Sequence, residues 1–257
     1  MMDFQEGVFQ YKGVSLAYFQ GGLGKSVLFL HGGGVRALTY RRFLRALLKK
    51  YRVIAPDLPC FGASSTPKET WGLDNYAECL DKFIGHLGLQ EVIVIGHSMG
   101  GGVALNLATI SDRVKGLVLV DSVGKSNGYS NNKFRYKFYI EKTILNLTHL
   151  GSLPMFLITI RDFSGNKLKR IFQWPHIIKT MEKCLFANFT EFPKVRIPTL
   201  ILWGDKDEIF SVESASFFHK NISASTLKLV QGNHDWCLFK PDALANLIDQ
   251  WIVSNKF

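Results

Sequence analysis

Ser98 stands between two glycines, in Gly96-His97-Ser98-Met99-Gly100. A serine hydroxyl attacks a carbonyl only when a nearby base can take its proton. It must also project clear of its own backbone. The residues before it, Val92–Ile95, are apolar and mostly β-branched and read as a buried strand. The residues after it, Met99–Ala108, read as a helix. Ser98 therefore lies in a very tight strand-to-helix turn, where neighbouring side chains crowd. Glycine at positions 96 and 100 removes that crowding. The helix aims its N-terminus at the same place, with free N–H groups and a positive dipole end. The Met99 N–H is thus placed to hold a developing oxyanion.

The other groups such chemistry needs also fall just after strand-like runs. "KSVLFL" ends in His31-Gly32-Gly33-Gly34, where the Gly33 N–H offers a second oxyanion donor with no side chain in the way. "RVIAPD" ends in Asp57, and "VKGLVLVD", Val114–Asp121, ends in Asp121. "TLILW" is followed by Asp205 and Asp207, and "TLKLV" by His234. In an open parallel sheet, sites form beyond the carboxyl ends of the strands. A serine, several acids and a histidine would therefore meet on one rim. His31 is expected to bond the loop backbone, and His97 to be a structural neighbour.

The elements that must position these groups follow an alternating rhythm. "GVFQY" and "VSLAYF" flank Lys12-Gly13 and predict a hairpin. "YRRFLRALLKKY" and "LDNYAECLDKFIGHLGL" have helical spacing, the second with Asp74 near its start and Gly88 at its end. A helix near Ser211–His219 and another over Pro241–Val253 close the chain. Strands alternating with helices predict an α/β fold: a mostly parallel sheet of eight strands, covered on both faces.

The rhythm breaks at 122–194. That segment is aromatic and helical in tendency, with Pro154 and Pro175 interrupting. It holds twelve Lys and Arg against four Asp and Glu, which is +8 of the chain's +10. Its apolar stretches, "YKFYIEKTILNL" and "SLPMFLITI", need a partner for an apolar face, and the rim above Ser98 is the expected one, with the basic charge, that of Lys167, Lys169 and Arg170 included, then expected on the outer face. The expected domains are a core of residues 1–121 and 195–257 and a helical cap, or lid, of residues 122–194.

Four of these motifs together resemble the α/β-hydrolase fold, over essentially the whole chain. They are "GHSMGG" as nucleophile elbow, "HGGG" as oxyanion loop, "LILWGDKD" as acid-bearing strand end and "GNHDW" as histidine loop. The resemblance implies the order Ser98, Asp207, His234, with Asp207 rather than Asp205 as the acid, because the family pattern reads G-x-x-D there. A loop often written "DLPGFGxS" reads "DLPCFGASS" here, so Cys60 is expected to reshape it slightly. The cap is expected to follow the smaller members, in which it is inserted between core strands.

The resemblance implies a serine hydrolase, a carboxylesterase cleaving small to medium acyl esters. Ser98 would attack, and His234 would accept its proton and return it to the leaving alcohol. Asp207 would orient the imidazole, the Met99 and Gly33 amides would hold the oxyanion, and water would release the acid. Rival chemistries on the same triad are a lipase or monoacylglycerol lipase, a C–C bond hydrolase and a perhydrolase. A small-molecule receptor that keeps the triad is the rival outside enzymes. Serine at position 98, where dehalogenases and epoxide hydrolases of the family use aspartate, argues against those two reactions.

The chemistry requires no cofactor and no metal, and His and Cys are not clustered as metal ligands would be. Cys60, Cys79, Cys184 and Cys237 are scattered, which fits free thiols in a reducing compartment. The opening "MMDFQEGVFQYKG" lacks the basic start and apolar run of a secretory signal, so a cytoplasmic location is expected. The expected partner is a small-molecule ester. Nucleic acid is not expected, since the basic charge is joined to no recognisable binding motif. Stable membrane insertion is not expected either, only a weak attraction of the basic cap to anionic surfaces.

Overall fold

The computed structural model describes residues 4–124, 170–187 and 194–257, with residues 157, 158, 161, 162, 165 and 168. Eight strands form one sheet among them: β1 (Gln5–Tyr11), β2 (Val14–Gly21), β3 (Ser26–Leu30), β4 (Arg52–Pro56), β5 (Val92–His97), β6 (Val114–Val120), β7 (Thr199–Gly204) and β8 (Ser225–Val230). Their order is β1-β2-β4-β3-β5-β6-β7-β8. The pairs β1–β2 and β2–β4 are antiparallel, and every later pair is parallel. Lys12 and Gly13 both take positive φ, 46° and 78°. That two-residue turn matches the twist of the β1–β2 hairpin.

Parallel neighbours need crossover helices, and these cover both faces. α1 (Arg41–Leu48), α2 (Leu73–His86), α3 (Met99–Ile110), α4 (Trp174–Leu185), α5 (Val212–Asn221), the short α6 (Trp236–Phe239) and α7 (Pro241–Ser254) follow in chain order. Side chains alternate across a strand. Leu28, Leu30, Val94, Leu117 and Leu119 accordingly join one core with Phe83 of α2 and Val103 of α3. Their neighbours Val27, Phe29, Ile95, Val118 and Val120 join the other, with Phe43 of α1 and Ile248 of α7. Each such side chain, once fully buried, stabilises the fold by roughly 1.5–3 kcal/mol. Burial on both faces is why these strands read as unbroken apolar runs.

β5 extends two residues beyond the apolar run, because Gly96 and His97 still pair with Leu119 and Val120 of β6. Ser98 is thus the first residue past the sheet. Within 122–194, Pro175 does not interrupt a helix. It lies in the first turn of α4, where a missing N–H leaves no bond unmade. α4 buries Ile177, Met181 and Cys184 in the same core as α2 and α3. The stretch at 136–147 lies outside the described residues, as does that at 152–160 apart from Leu157 and Ile158. No described helix is long and apolar enough to cross a membrane. All four cysteines are free and buried.

Candidate active site

Ser98 has φ 54° and ψ −119°, a strained conformation for a residue with a side chain. The surroundings enforce it. A Cβ on Gly96 would lie 2.3 Å from the Gly100 carbonyl oxygen, and one on Gly100 would lie 2.3 Å from that of Leu30. Neither position accepts a side chain, so the turn stays tight. The Ser98 carbonyl accepts N–H bonds from Gly101 and Gly102, at 3.0 and 3.3 Å. The first N–H groups of α3, that of Met99 among them, have no partner within the helix. Gly33 lies beside Met99: a Cβ there would be 3.6 Å from the Met99 sulfur and 3.3 Å from Met181 Cε of α4.

His234 and Asp207 meet although 27 residues separate them. His234 Nδ1 donates to Asp207 Oδ2 at 2.9 Å, and both side chains are buried. The other carboxylate oxygen of Asp207 accepts from the Ile209 and Phe210 N–H groups, at 2.8 and 2.9 Å. His234 Nε2 is buried and has no hydrogen-bond partner among the described residues. Its ring packs on that of His97, the residue before Ser98, with centroids 5.0 Å apart. Asp205 goes elsewhere. It is exposed, and its Oδ1 accepts from Gly232 N–H at 2.9 Å, which ties the loop after β7 to the loop after β8.

His97 does more than fill space. Its Nε2 donates to the His234 carbonyl at 3.1 Å, so its Nδ1 must accept from the Tyr40 hydroxyl at 2.7 Å. That hydroxyl in turn accepts from Gly32 N–H at 3.4 Å. One buried relay therefore joins the glycine loop, the elbow and the histidine loop. Sequence reading misses Tyr40 because nothing in its spacing marks it. Asp121, in sequence only one of several strand-end acids, also comes to the site, 0% exposed. Asp57 does not: its carboxylate accepts from Ala37 and Ala63 N–H, each at 2.8 Å.

His31 bonds the loop backbone. Its Nδ1 donates to the Gly32 carbonyl and its Nε2 accepts from Leu58 N–H, each at 2.8 Å. Accepting at Nε2 requires the neutral ring. Burial pushes its pKa down, against the pull of the Asp57 charge. Below about pH 6.5 the unfolded chain then takes up a proton that the folded chain refuses. Stability is therefore full above that pH and falls below it, by up to about 1.4 kcal/mol per pH unit from this group. Melting temperatures measured between about pH 7 and pH 5 should fall less steeply in His31→Gln than in wild type. Equal slopes would remove His31 from the account.

Cys60 takes φ 80° and is fully buried, so a residue with a side chain sits in the left-handed backbone that glycine favours. Burial pushes its thiol up to about 11. Arg170, expected on an outer basic face, is half-buried: it donates to the Ser64 carbonyl and to Thr66 Oγ1, the latter at 3.3 Å. Lys167 and Lys169 lie outside the described residues.

A model of the alpha/beta hydrolase family matches residues 27–247. The chain belongs to that family. This alpha/beta hydrolase is 27% identical over 214 residues to haloalkane dehalogenase 2 of Mycobacterium tuberculosis, an alignment covering 75% of each chain. Its structure resembles that of a thermophilic esterase from Thermogutta terrifontis, with TM-score 0.81 and 22% identity over 97% of this chain and 98% of that one. It also resembles a serine hydrolase involved in carbazole degradation, the CarC enzyme. There the TM-score is 0.80 and the identity 25%, over 97% and 99% of the two chains. An alpha/beta hydrolase with this sheet order presents the ends of β3, β5, β7 and β8 on one rim. Gly33, Ser98, Asp207 and His234 each follow one of those four strands.

Proposed function

We propose that the chain is a serine hydrolase cleaving carboxylic esters of small to medium acyl length, with Ser98, His234 and Asp207 as its catalytic groups. The observation that carries this reading is the state of His234. One ring nitrogen is held by Asp207, and the other is buried and has no partner among the described residues. An imidazole held so has its proton on Nδ1 and a lone pair on Nε2, which is the form a general base needs. Ser98 attacks the ester carbonyl as Nε2 takes its proton. The Met99 and Gly33 amides hold the oxyanion. The imidazolium then protonates the leaving alcohol, and water repeats the sequence on the acyl-enzyme.

Dehalogenation, the activity in the name of the mycobacterial relative, does not suit a serine. Displacing halide with a hydroxyl would leave an alkyl ether, which has no carbonyl for water to attack. Residues 122–194 act in this proposal as the cap over a core of residues 1–121 and 195–257. Met181 of α4, close to Gly33, supports an apolar lining on the acyl side.

A panel of p-nitrophenyl esters of rising acyl length tests the reading. Turnover should be greatest for short to medium chains and fall for long ones. A maximum at long chains would make the protein a lipase. No turnover on any ester would refute the esterase reading and leave C–C bond cleavage, perhydrolysis or reception of a small molecule.

A further inference from the structure

Asp121 is a buried acid that the proposed mechanism does not use. It follows β6 with φ 44° and is fully buried. Its Oδ1 accepts from Gly204 N–H and its Oδ2 from Trp236 Nε1–H, each at 2.7 Å. Gly204 ends the strand that leads to Asp207, and Trp236 lies two residues past His234. Asp121 therefore grips both loops at their roots. A carboxylate oxygen of Asp121 lies within 4.8 Å of both an Asp207 oxygen and a His234 ring nitrogen.

Two carboxylates this close and this deeply buried do not both stay ionised, because neither water nor distance separates the charges. The hydrogen bonds decide which one keeps the charge. Asp207 accepts from three donors, the N–H groups of Ile209 and Phe210 and His234 Nδ1. Asp121 accepts from two. We infer that Asp121 is protonated at neutral pH and positions Asp207 as a neutral hydrogen-bond donor. Burial first, and then the Asp207 charge, push the Asp121 pKa well above the usual carboxylate range. The other titratable groups around it among the described residues are His234, Tyr40 and Cys237, with Asp235 beyond them. The role assigned to Asp207 rests on the proposed function, but the proton count does not.

Infrared spectroscopy of the full chain reads that proton. Wild type at neutral pH should show the carbonyl stretch of a buried protonated carboxyl, and Asp121→Asn should lose it. Labelling aspartate with ¹³C at the carboxyl should shift the band, an assignment that does not depend on the variant folding. Asp121→Asn replaces one neutral group by another but leaves Gly204 N–H or Trp236 Nε1–H without its acceptor. Its kcat should fall about ten-fold while the acid limb of the pH profile stays in place.

A charged Asp121 would behave differently. Removing it would disfavour the imidazolium and move that limb down by about one pH unit. Such a movement, or the absence of a protonated aspartate band in wild type, overturns the inference. The two readings fail separately: an active Ser98→Ala protein would end the esterase mechanism, yet its band should persist.

Discussion

Ser98→Ala should lose about 10³-fold or more in kcat on every ester the wild type cleaves, because nucleophile and base act as a unit. The remaining groups cannot substitute for it. The Met99 and Gly33 amides stabilise an oxyanion only once a nucleophile has added, and His234 without Ser98 can at best activate water. The variant should fold normally, since alanine meets the same φ of 54° as serine and fits the same turn. Unchanged melting with lost turnover would separate chemistry from stability. A fluorophosphonate probe should label wild type at Ser98 and leave Ser98→Ala unlabelled. Labelling elsewhere, or an alanine variant that still turns over, would sink the mechanism.

The second large effect separates two aspartates that stand two residues apart. Asp207→Asn should cost on the order of 10²- to 10⁴-fold in kcat, by putting the imidazole proton on the wrong nitrogen. The amide oxygen of the substituted side chain would be drawn to the Ile209 and Phe210 N–H groups that Oδ1 now accepts. Its NH₂ would then face His234 Nδ1, which must accept. The proton moves to Nε2, where the base should be empty. Asp205→Asn keeps an acceptor for Gly232 N–H on an exposed loop, so its kcat should stay within about three-fold of wild type. Should Asp205→Asn prove the more damaging of the two, the assignment reverses.

The elbow is legible in the sequence because its cause is local. Gly96 and Gly100 are required by atoms within a few residues and by one neighbouring strand, and that requirement is written in the sequence as glycine. The strands are legible for a similar reason. Burial on both faces leaves Val, Ile and Leu without interruption, whichever partner each strand finds. The positive φ of Cys60 is not legible, because it is set by the loop around it and not by the residue type. Arg170 misleads because charge counted along a chain says nothing of which carbonyls a guanidinium can reach.

By itself, then, the sequence determined the alternation of strands and helices, the tight turn at Ser98 and the set of groups available at the strand ends. These depend on sterics and burial periods that act over a few residues. Only the tertiary structure decided that Asp121 joins His234 and Asp207, and that Tyr40 and His97 connect three loops. Each is a contact between residues far apart in the chain, such as the 115 positions between Asp121 and Trp236. Local spacing does not encode such pairings. The strand order does, by bringing the ends of β5, β6, β7 and β8 side by side.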